Sequence, residues 1–299
     1  MYDVIIIGAG PAGLTSAIYA KRSNKNVLVL EANSYGGQIV TTDKIDNYPA
    51  APHISGYDFA TNLYNQVIEL GVEVKFEKAI DILDGDIKKV VTDKNTYEAN
   101  AVIVAIGVRN RSLNVPGEKE FEGKGVSYCA TCDGMFYKGK TVAVIGAGNT
   151  AFEEALYLSN LCKKVYIIHR NEKFKASPSM TKKVKSKDNI EFILNTNVIS
   201  INGNDKVSDI DLLDNDENKS NIKISAIFIA IGQIPENGNL TKNFNIDKNG
   251  YIKSDKNLKT NIDGIYVAGD IRPKALRQLV TATSDGALAA VNAIKSIKK

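Results

Sequence analysis

The apolar residues of this chain are concentrated in short runs that end at glycines, and the first run lies near the N-terminus. Val4-Ile5-Ile6-Ile7 is a continuous apolar stretch with the length of a buried parallel strand. Gly8-Ala9-Gly10-Pro11-Ala12-Gly13 follows it, and residues 14–21 then have apolar side chains at helical spacing. A second run, Val27-Leu28-Val29-Leu30, ends at Glu31. This pattern predicts a strand, a tight glycine turn, a helix and a second strand.

The glycines between the first strand and the first helix have the spacing of a dinucleotide-binding fingerprint. Gly8, Gly10 and Gly13 would let the backbone turn and approach a pyrophosphate, whose charge the N–H groups at a helix start stabilise. Glu31 follows Gly13 by 18 residues, close to the separation of about 20 at which an acidic side chain reaches a ribose. We therefore predict a nucleotide site here, the alternative being a chance glycine-rich turn.

The same pattern recurs 138 residues later without a gap. Val142-Ala143-Val144-Ile145 precedes Gly146 and Gly148, and Ala151 stands at the third glycine position, where a small residue still lets helix and strand pack. Val165-Tyr166-Ile167-Ile168 supplies the second strand. The internal repeat predicts a second dinucleotide site.

The second repeat differs from the first in the charge at the end of its second strand. His169 stands where the first repeat has Glu31, and Arg170 follows it, with Lys173 and Lys175 nearby. A carboxylate repels a 2'-phosphate, whereas Arg binds one through two hydrogen bonds. The second site is therefore predicted to prefer NADPH to NADH, unless Arg170 is merely a solvated residue at a strand end.

Three further apolar runs end at glycine. Residues 101–107 and 226–232 end at Gly107 and Gly232 and are expected to complete the two sheets, either as strands that approach a cofactor or simply as buried strands. Residues 264–270 end at Gly269-Asp270, and a helical pattern follows residues 282–287. An Asp at a strand end can hold a polyol hydroxyl, and a helix N-terminus can stabilise negative charge on a flavin ring.

A pair of cysteines lies between the two predicted nucleotide sites. Cys129 and Cys132 are separated by two residues, a spacing that permits a small, reducible disulfide loop, and Asp133 follows directly. Because the flanking nucleotide patterns supply an electron source in the same chain, the arrangement favours a dithiol oxidoreductase. Cys162 is expected to be a structural thiol.

Composition excludes several other classes of function. The 38 basic and 34 acidic residues are scattered and leave a formal charge of only +4, which is not a nucleic-acid footprint. No apolar run approaches the roughly 20 residues of a membrane span, and residues 1–3 lack the basic start of a secretory signal. One Cys-x-x-Cys pair with the remote His53 and His169 is a poor zinc site. We expect a cytoplasmic protein without a structural metal.

Taken in order along the chain, these motifs closely resemble those of the low-molecular-weight bacterial thioredoxin reductases over essentially the full length. The motifs that carry the resemblance are Gly8-x-Gly10-x-x-Gly13 with Glu31, Gly36-Gly37-Gln38, Asn47-Tyr48-Pro49, Cys129-Ala130-Thr131-Cys132-Asp133, Gly146-x-Gly148-x-x-Ala151, Gly269-Asp270 and Arg277-Gln278. The resemblance implies an α/β fold of two Rossmann-like domains, with an NADPH domain inserted into an FAD domain. It also implies a homodimer and a swing of the inserted domain.

The resemblance also implies roles for individual residues. Electrons would pass from NADPH through FAD to the dithiol and then to thioredoxin, with Cys132 facing the flavin, Cys129 facing thioredoxin, and Asp133 as the acid. The alternative for Asp133 is a helix-cap or turn residue. The expected cofactor-binding residues are Gly8, Gly10, Gly13, Glu31, Gly37, Gln38, Asn47, Gly107, Gly146, Gly148, Ala151, His169, Arg170, Lys175, Gly269, Asp270, Arg277 and Gln278.

The expected domain boundaries follow from the same reasoning. We predict an FAD domain from residues 1–112 and 238–299 and an NADPH domain with the dithiol from residues 113–237. Val115-Pro116-Gly117 and Gly232-Gln233-Ile234-Pro235 are the expected crossings, because proline and glycine interrupt both sheets there.

The chain departs from the family pattern at the predicted phosphate site. The family has His-Arg-Arg and, after three intervening residues, another Arg, whereas here Asn171 follows Arg170 and Lys175 ends the motif. Ser284 stands where the family usually has glycine. The alternatives are therefore a flavin thioredoxin reductase that is reduced by ferredoxin, a related enzyme for a small-molecule disulfide, and a non-catalytic flavin redox sensor. A ferredoxin-NADP reductase is disfavoured because it does not need the two cysteines.

Overall fold

The chain forms two compact units, and the second is inserted into the first. The structure is a computed structural model that describes residues 1–42, 44–235 and 238–297. The first unit comprises Met1–Arg109 and Ile234–Lys299, and the second comprises Asn110–Gln233. Val115-Pro116-Gly117 therefore lies inside the second unit, where the carbonyl of Pro116 accepts a hydrogen bond of 3.0 Å from Ile201 N–H.

Strands and helices alternate through most of the chain. The helices are α1 (Pro11–Arg22), α2 (Gly56–Glu69), α3 (Ala130–Asp133), α4 (Asn149–Ser159), α5 (Pro178–Lys185) and α6 (Leu279–Ser296). The strands are β1 (Tyr2–Ile7), β2 (Val27–Glu31), β3 (Glu73–Phe76), β4 (Ala79–Leu83), β5 (Lys88–Thr92), β6 (Thr96–Val104), β7 (Val108–Asn110), β8 (Val126–Ser127), β9 (Thr141–Ile145), β10 (Lys164–His169), β11 (Ile190–Leu194), β12 (Thr196–Gly203), β13 (Val207–Asp214), β14 (Lys219–Lys223), β15 (Ala226–Ile229), β16 (Gln233–Pro235) and β17 (Ile265–Val267). Short 3-10 turns cover Gly37–Thr41, Gly134–Tyr137, Asn239–Thr241 and Gly269–Ile271.

The first unit is built on a sheet with the order β3-β2-β1-β6-β5-β4, and β17 pairs with the end of β6. The strands β3, β2, β1, β6 and β17 run parallel, whereas β5 and β4 are antiparallel additions. Val4 and Ile6 face one buried layer, and Ile5 and Ile7 face another. This explains why β1 is apolar on both sides, as strands covered on both faces must be.

Helix α6 packs against α1 through a close backbone approach. A methyl group at Gly286 would lie 2.2 Å from the carbonyl oxygen of Ala12, so this position has room only for glycine. The Ser16 hydroxyl is 2.9 Å from the carbonyl of Ala12 and 3.0 Å from that of Gly286. The contact brings the C-terminal segment onto the helix that begins at the first glycine turn.

The second unit has its own parallel sheet, with the order β11-β10-β9-β15-β8. Phe152 and Val184, from α4 and α5, are fully buried on one face of this sheet. The antiparallel strands β12, β13 and β14 form a separate sheet that contributes Ile201 and Ile210 to the core of the other face. The two short strands at the chain crossings, β7 and β16, pair with each other.

The predicted α/β class and the repeated strand–turn–helix pattern are confirmed, with differences at element ends. Strand β6 stops at Val104 and β15 at Ile229, earlier than predicted, and the chain turns at Gly107 and Gly232, which have positive φ values of 67° and 102°. Helix α6 begins at Leu279, before the predicted start. Within the described residues, no helix combines the length and apolar character needed to cross a bilayer.

Candidate nucleotide and dithiol sites

The turn between β1 and α1 is shaped by two glycines that leave no room for side chains. Gly8 has a φ of 106°, and a methyl group there would lie 2.4 Å from the carbonyl oxygen of Ala105. A methyl group at Gly13 would lie 1.8 Å from the carbonyl oxygen of Gly8. These contacts hold α1 tightly against the end of β1, so that the first backbone N–H groups of the helix start directly at the turn.

Gly10 differs from its two neighbours because it faces open space. Within the described chain, a methyl group at Gly10 would meet nothing within 4 Å beyond its chain neighbours. Gly10 is the N-cap of α1, and no side chain caps the helix start. An open space beside uncapped N–H groups fits the pyrophosphate of a dinucleotide. Glu31, at the end of β2, accepts a 2.7 Å hydrogen bond from Ala9 N–H and so lies beside this turn.

The Gly36-Gly37-Gln38 segment folds against the same turn. Gly36 N–H donates to the Ala9 carbonyl at 2.8 Å, and a methyl group at Gly37 would lie 3.5 Å from Gly10 Cα. The Gln38 amide donates to the carbonyl of Val108. Gly107, one residue earlier, has nothing within 4 Å of a methyl position among the described residues. The predicted residues of this segment therefore border the open end of the sheet.

A charged cluster follows β17 at the same end of the first unit. Gly269 N–H donates to Asp285 Oδ2 at 3.1 Å, and Lys274 Nζ lies 2.8 Å from the same oxygen. Lys274 Nζ is also 3.5 Å from Asp270 Oδ1. Burial raises the pKa of the Asp270 carboxyl, although the cations of Lys274 and Arg277 oppose the rise. The Arg277 guanidinium lies 4.2 Å from the centre of the Tyr251 ring.

Two residues of this cluster were absent from the predicted site. Asp285 is on α6, with only 13% of its side chain exposed, and Lys274 is 7% exposed. Neither residue belongs to a predicted glycine motif, and the packing of α6 is what brings Asp285 close to Gly269 and Lys274. The order Gly-Asp followed by a helix containing a second Asp was the available signal in the sequence.

The second glycine turn repeats the geometry of the first. Gly146 has a φ of 132°, and a methyl group there would lie 2.5 Å from the Ala230 carbonyl oxygen and 3.2 Å from Ala151 Cβ. Gly148 is the N-cap of α4 and, like Gly10, has no described atom within 4 Å of a methyl position. The buried Ala151 fits in place of the third glycine. This turn also fits a pyrophosphate.

The basic end of β10 lies next to the second glycine turn. The N–H groups of Lys175 and Ala176 donate to the Ala147 carbonyl at 2.9 and 3.1 Å, which folds this segment back onto the turn. The Arg170 and Lys175 side chains are exposed. His169 Nε2 is shielded from solvent and has no hydrogen-bond partner among the described residues. Burial lowers the pKa of His169, and Arg170 and Lys175 lower it further.

Cys129 and Cys132 form a disulfide at the start of α3, in the same unit as the second glycine turn. The carbonyl of Cys129 accepts hydrogen bonds from Cys132 N–H at 3.2 Å and Asp133 N–H at 3.1 Å, which close the turn around the disulfide. Both cysteines are partly exposed. The disulfide is therefore accessible to exchange with an external thiol. Cys162 is the buried free thiol, and burial raises its pKa to about 11.

A serine that the sequence prediction did not include organises the residues around the disulfide. The Ser127 hydroxyl donates to Asp133 Oδ2 at 2.6 Å and accepts from Cys129 N–H at 3.1 Å. The hydroxyl thus fixes the Asp133 carboxyl relative to the backbone of Cys129. Ser127 lies on the short strand β8, which has no distinctive motif in the sequence. Within the described ranges, no group of three or more His, Cys, Asp or Glu residues could hold a metal ion.

The predicted site residues fall into separate groups. In the first unit the structure brings together the turn from Gly8 to Gly13, Glu31 and Gly37. Asn47 meets Gln278 through a 2.9 Å hydrogen bond from Asn47 Nδ2 to Gln278 Oε1. In the second unit it brings together the turn from Gly146 to Ala151 and the segment from His169 to Lys175, while the disulfide turn packs elsewhere on α4.

Comparisons with known proteins agree with this geometry. The sequence profile of the pyridine nucleotide-disulphide oxidoreductases matches residues 2–286. The thioredoxin reductase of Mycoplasma genitalium is 42% identical over 97% of this chain and 93% of its own length. That of Bacillus subtilis is 40% identical, with the same coverage of both chains.

A solved structure supports the same assignment. The crystal structure of thioredoxin reductase from Streptococcus pyogenes has a TM-score of 0.95 and 39% identity, covering 99% of this chain and 98% of that one. The match thus extends over both units and all the motifs described above. The chain belongs to the pyridine nucleotide-disulphide oxidoreductase family and, within that family, to the thioredoxin reductases.

Proposed function

We propose that this chain is a thioredoxin-disulfide reductase that draws electrons from NADPH. The observation that carries the proposal is the Cys129–Cys132 disulfide in the same compact unit as a second dinucleotide-type glycine turn. FAD and NADPH, the cofactors of this family, supply hydride and electron transfer when bound. The sequence relatives favour thioredoxin reduction over the ferredoxin-dependent alternative.

The first unit is proposed to hold FAD. The open space at Gly10 suits the pyrophosphate, and Glu31 suits a ribose hydroxyl, since a carboxylate oxygen can accept more than one hydrogen bond. Gly37, Gln38, Asn47, Gly107, Gly269, Asp270, Arg277 and Gln278 are proposed to complete this site. We accordingly propose that the FAD domain is the first unit, Met1–Arg109 and Ile234–Lys299, whose limits lie three and four residues from the predicted 1–112 and 238–299.

The second unit is proposed to hold NADPH. The open space at Gly148 suits the pyrophosphate, and Arg170 with Lys175 suits the 2'-phosphate, because the segment that contains Lys175 folds back onto the glycine turn. His169 and Ala151 are proposed to line the same site. Lys175 keeps a positive charge but lacks the planar fork of Arg, so we expect weaker discrimination against NADH than three arginines would give. The second unit, Asn110–Gln233, is thus the proposed NADPH domain, close to the predicted 113–237.

The dithiol is proposed to carry a pair of electrons to thioredoxin by thiol–disulfide exchange. Reduction of the Cys129–Cys132 bond takes two electrons and two protons and produces two thiols. The Cys129 thiolate attacks one sulfur of the thioredoxin disulfide and forms a mixed disulfide. Cys132 then attacks Cys129, which restores the internal disulfide and releases reduced thioredoxin. Asp133, oriented by Ser127, is the proposed proton donor to the departing thiolate.

The assembly and location of the protein are also proposals. A homodimer is supported by the family resemblance and by the exposed apolar side chains of Leu276, Val280 and Leu288, on or next to α6. A cytoplasmic location is supported by the need to keep a cycling dithiol in a reducing compartment.

One experiment separates this function from its alternatives. FAD-loaded protein is mixed anaerobically with NADPH, NADH or reduced ferredoxin, and loss of the visible flavin absorbance is followed. Rapid bleaching by NADPH and steady reduction of added thioredoxin are expected. Reduction by ferredoxin alone would assign the protein to the ferredoxin-dependent class. Thioredoxin reduction that survived Cys129→Ser with Cys132→Ser would refute the assignment of the dithiol.

A further inference from the structure

Beneath the disulfide turn lies a buried carboxyl group that the proposed reaction does not use. Glu154 is on α4, and its Oε2 atom is shielded from solvent and has no hydrogen-bond partner among the described residues. The side chain as a whole is only half-buried, but the shielding of this oxygen decides how the carboxyl behaves. An ionised oxygen in such a position lacks both water and a donor, so the neutral acid is favoured.

The disulfide turn is packed closely against the helix that carries Glu154. Ala130, which follows Cys129, is fully buried in one cluster with Ala151 and Leu158. A methyl group at Gly134 would lie 3.0 Å from Leu158 Cδ2, so this end of the turn also lies directly on α4. The backbone N–H of Ala130 stabilises the ionised Glu154 carboxylate and so lies beside it. Glu154 is thus next to the backbone one residue from Cys129.

Two carboxylates act on Glu154 from the disulfide turn and from its own helix. Burial raises the pKa of the Glu154 carboxyl to about 7, the N–H of Ala130 opposes the rise, and the carboxylates of Asp133 on α3 and Glu153 on α4 add to it. The oxidised disulfide carries no charge. A thiolate formed at the reduced pair would add another negative charge to the same turn and strengthen the binding of a proton by Glu154.

We propose that Glu154 is a positioning residue for the dithiol. Its carboxyl group binds a proton when the Cys129–Cys132 disulfide is reduced and releases that proton when the disulfide re-forms. Reduction breaks the S–S bond with two electrons. When one sulfur becomes a thiol and the other stays a thiolate, the sulfurs take up one proton, and a Glu154 carboxylate that was ionised in the oxidised form takes a second proton from solvent. Re-oxidation passes the two electrons to the disulfide substrate and returns these protons to solvent.

This coupling makes the stability of the reduced dithiol depend on pH through Glu154. Below about pH 7 the carboxyl is neutral in both redox states and has no effect on the equilibrium. Above that pH an ionised Glu154 opposes negative charge on the sulfurs and disfavours reduction. Each proton coupled to reduction changes the equilibrium constant by at most about tenfold per pH unit.

The test compares wild type with Glu154→Gln in dithiothreitol redox buffers from about pH 6 to about pH 9. The amide keeps the shape and an oxygen acceptor for Ala130 N–H but cannot titrate. Alkylation of denatured samples counts one thiol in the oxidised protein, from Cys162, and three in the reduced protein. The pH dependence of dithiothreitol cancels in the ratio of the two equilibrium constants.

Near pH 6 the equilibrium constants for reduction of wild type and Glu154→Gln should agree within about twofold. Between pH 7 and pH 9 the constant of wild type should fall relative to that of Glu154→Gln by about fivefold or more. The matched control is Glu120→Gln, which removes the same charge from an exposed position elsewhere in the second unit and leaves the pH dependence of wild type. If the ratio of the equilibrium constants of wild type and Glu154→Gln stayed constant within about twofold over the whole pH range, the proposal would be overturned.

A second measurement is made on wild type and therefore does not depend on whether Glu154→Gln folds. Infrared difference spectra of wild type before and after reduction at about pH 8 are expected to gain a protonated-carboxyl band, which persists in Asp133→Asn. Absence of the band, or its loss in Asp133→Asn, would overturn the proposal. The inference concerns the dithiol of the proposed function, but neither test uses thioredoxin or a nicotinamide, so its failure leaves the proposed activity untouched.

Discussion

Asn47 and Gln278 are 231 residues apart in the sequence, yet Asn47 Nδ2 donates a 2.9 Å hydrogen bond to Gln278 Oε1. Gln278 is also the N-cap residue of α6, where its backbone N–H lies 3.1 Å from the Thr281 hydroxyl. The bond therefore ties the segment after Gly37 to the start of the C-terminal helix. Both residues belong to the proposed FAD site.

Gln278→Ala should weaken FAD binding by about fivefold, since it removes a hydrogen bond worth about 1 kcal/mol that orders the site. The dissociation constant is measured by the change in flavin fluorescence on titration. Asn292→Ala is the control, because Asn292 lies on the same helix and makes an exposed 2.9 Å bond to the Asn257 carbonyl. Equal FAD affinity in the two variants would contradict a role for Gln278 at the cofactor.

Gly13→Ala and Gly10→Ala should have different effects. The methyl group of Gly13→Ala meets the Gly8 carbonyl oxygen at 1.8 Å, so we expect the FAD-free protein to lose about 1 to 3 kcal/mol of unfolding free energy. Gly10→Ala meets no described atom and should leave that free energy nearly unchanged while it weakens FAD binding. Urea unfolding of the FAD-free proteins measures the first effect, and FAD titration measures the second. A destabilised Gly10→Ala would contradict the open space at this turn.

Ser127→Ala should slow thioredoxin reduction by several-fold. The change removes the hydroxyl that donates to Asp133 Oδ2 at 2.6 Å, and a charge-assisted hydrogen bond of this kind contributes about 1.5 to 3 kcal/mol. Steady-state kcat with thioredoxin is the measurement, and bleaching of the flavin by NADPH should change little. Ser159→Ala, which removes a buried hydroxyl bonded to the Leu156 carbonyl on α4, is the control. The same loss in both variants would point to a general packing defect.

Arg170→Ala and Lys175→Ala should each raise the KM for NADPH by about fivefold, which corresponds to about 1 kcal/mol at an exposed ion pair. The KM for NADH should change little, because NADH lacks the 2'-phosphate. Lys175→Arg is expected to lower the KM for NADPH, since Arg binds a phosphate through two hydrogen bonds. Lys163→Ala, an exposed charge outside this segment, is the control. Parallel changes with both nicotinamides would refute the phosphate assignment.

The free energy of unfolding should decrease as the pH rises, because Glu154 loses its proton. Because burial raises the pKa of this carboxyl from 4.5 to about 7, the folded state binds the proton more tightly than the unfolded state. This contribution to stability is complete below about pH 4.5 and is lost as the pH rises through about 7, up to about 3 kcal/mol. Glu154→Gln lacks the dependence.

The pH effect is measured by urea unfolding of wild type and Glu154→Gln at about pH 5 and about pH 8. The free energy of wild type should fall relative to that of the variant at the higher pH. Glu120→Gln, at an exposed position, should follow wild type. A constant difference between wild type and Glu154→Gln at the two pH values would show that Glu154 does not titrate in this range.

The repeated nucleotide-binding pattern was predictable because its information is local. An apolar run, a glycine turn and a helix start occupy about 12 consecutive residues, and their order indicates the turn although the close contacts of Gly8 and Gly146 are with Ala105 and Ala230, far along the chain. The Cys-x-x-Cys spacing is local in the same sense. The sequence by itself therefore determined the α/β class, the two turns and the redox pair.

The partners of these motifs were decided only by the tertiary structure. Ser127 binds Asp133 because β8 adds to the edge of the second sheet, and Glu154 lies beneath Ala130 because the disulfide turn packs on α4. Asp285 reaches Gly269 because α6 lies against α1. Such contacts join residues of ordinary type from separate elements, and their burial and hydrogen bonding depend on packing that no local pattern encodes.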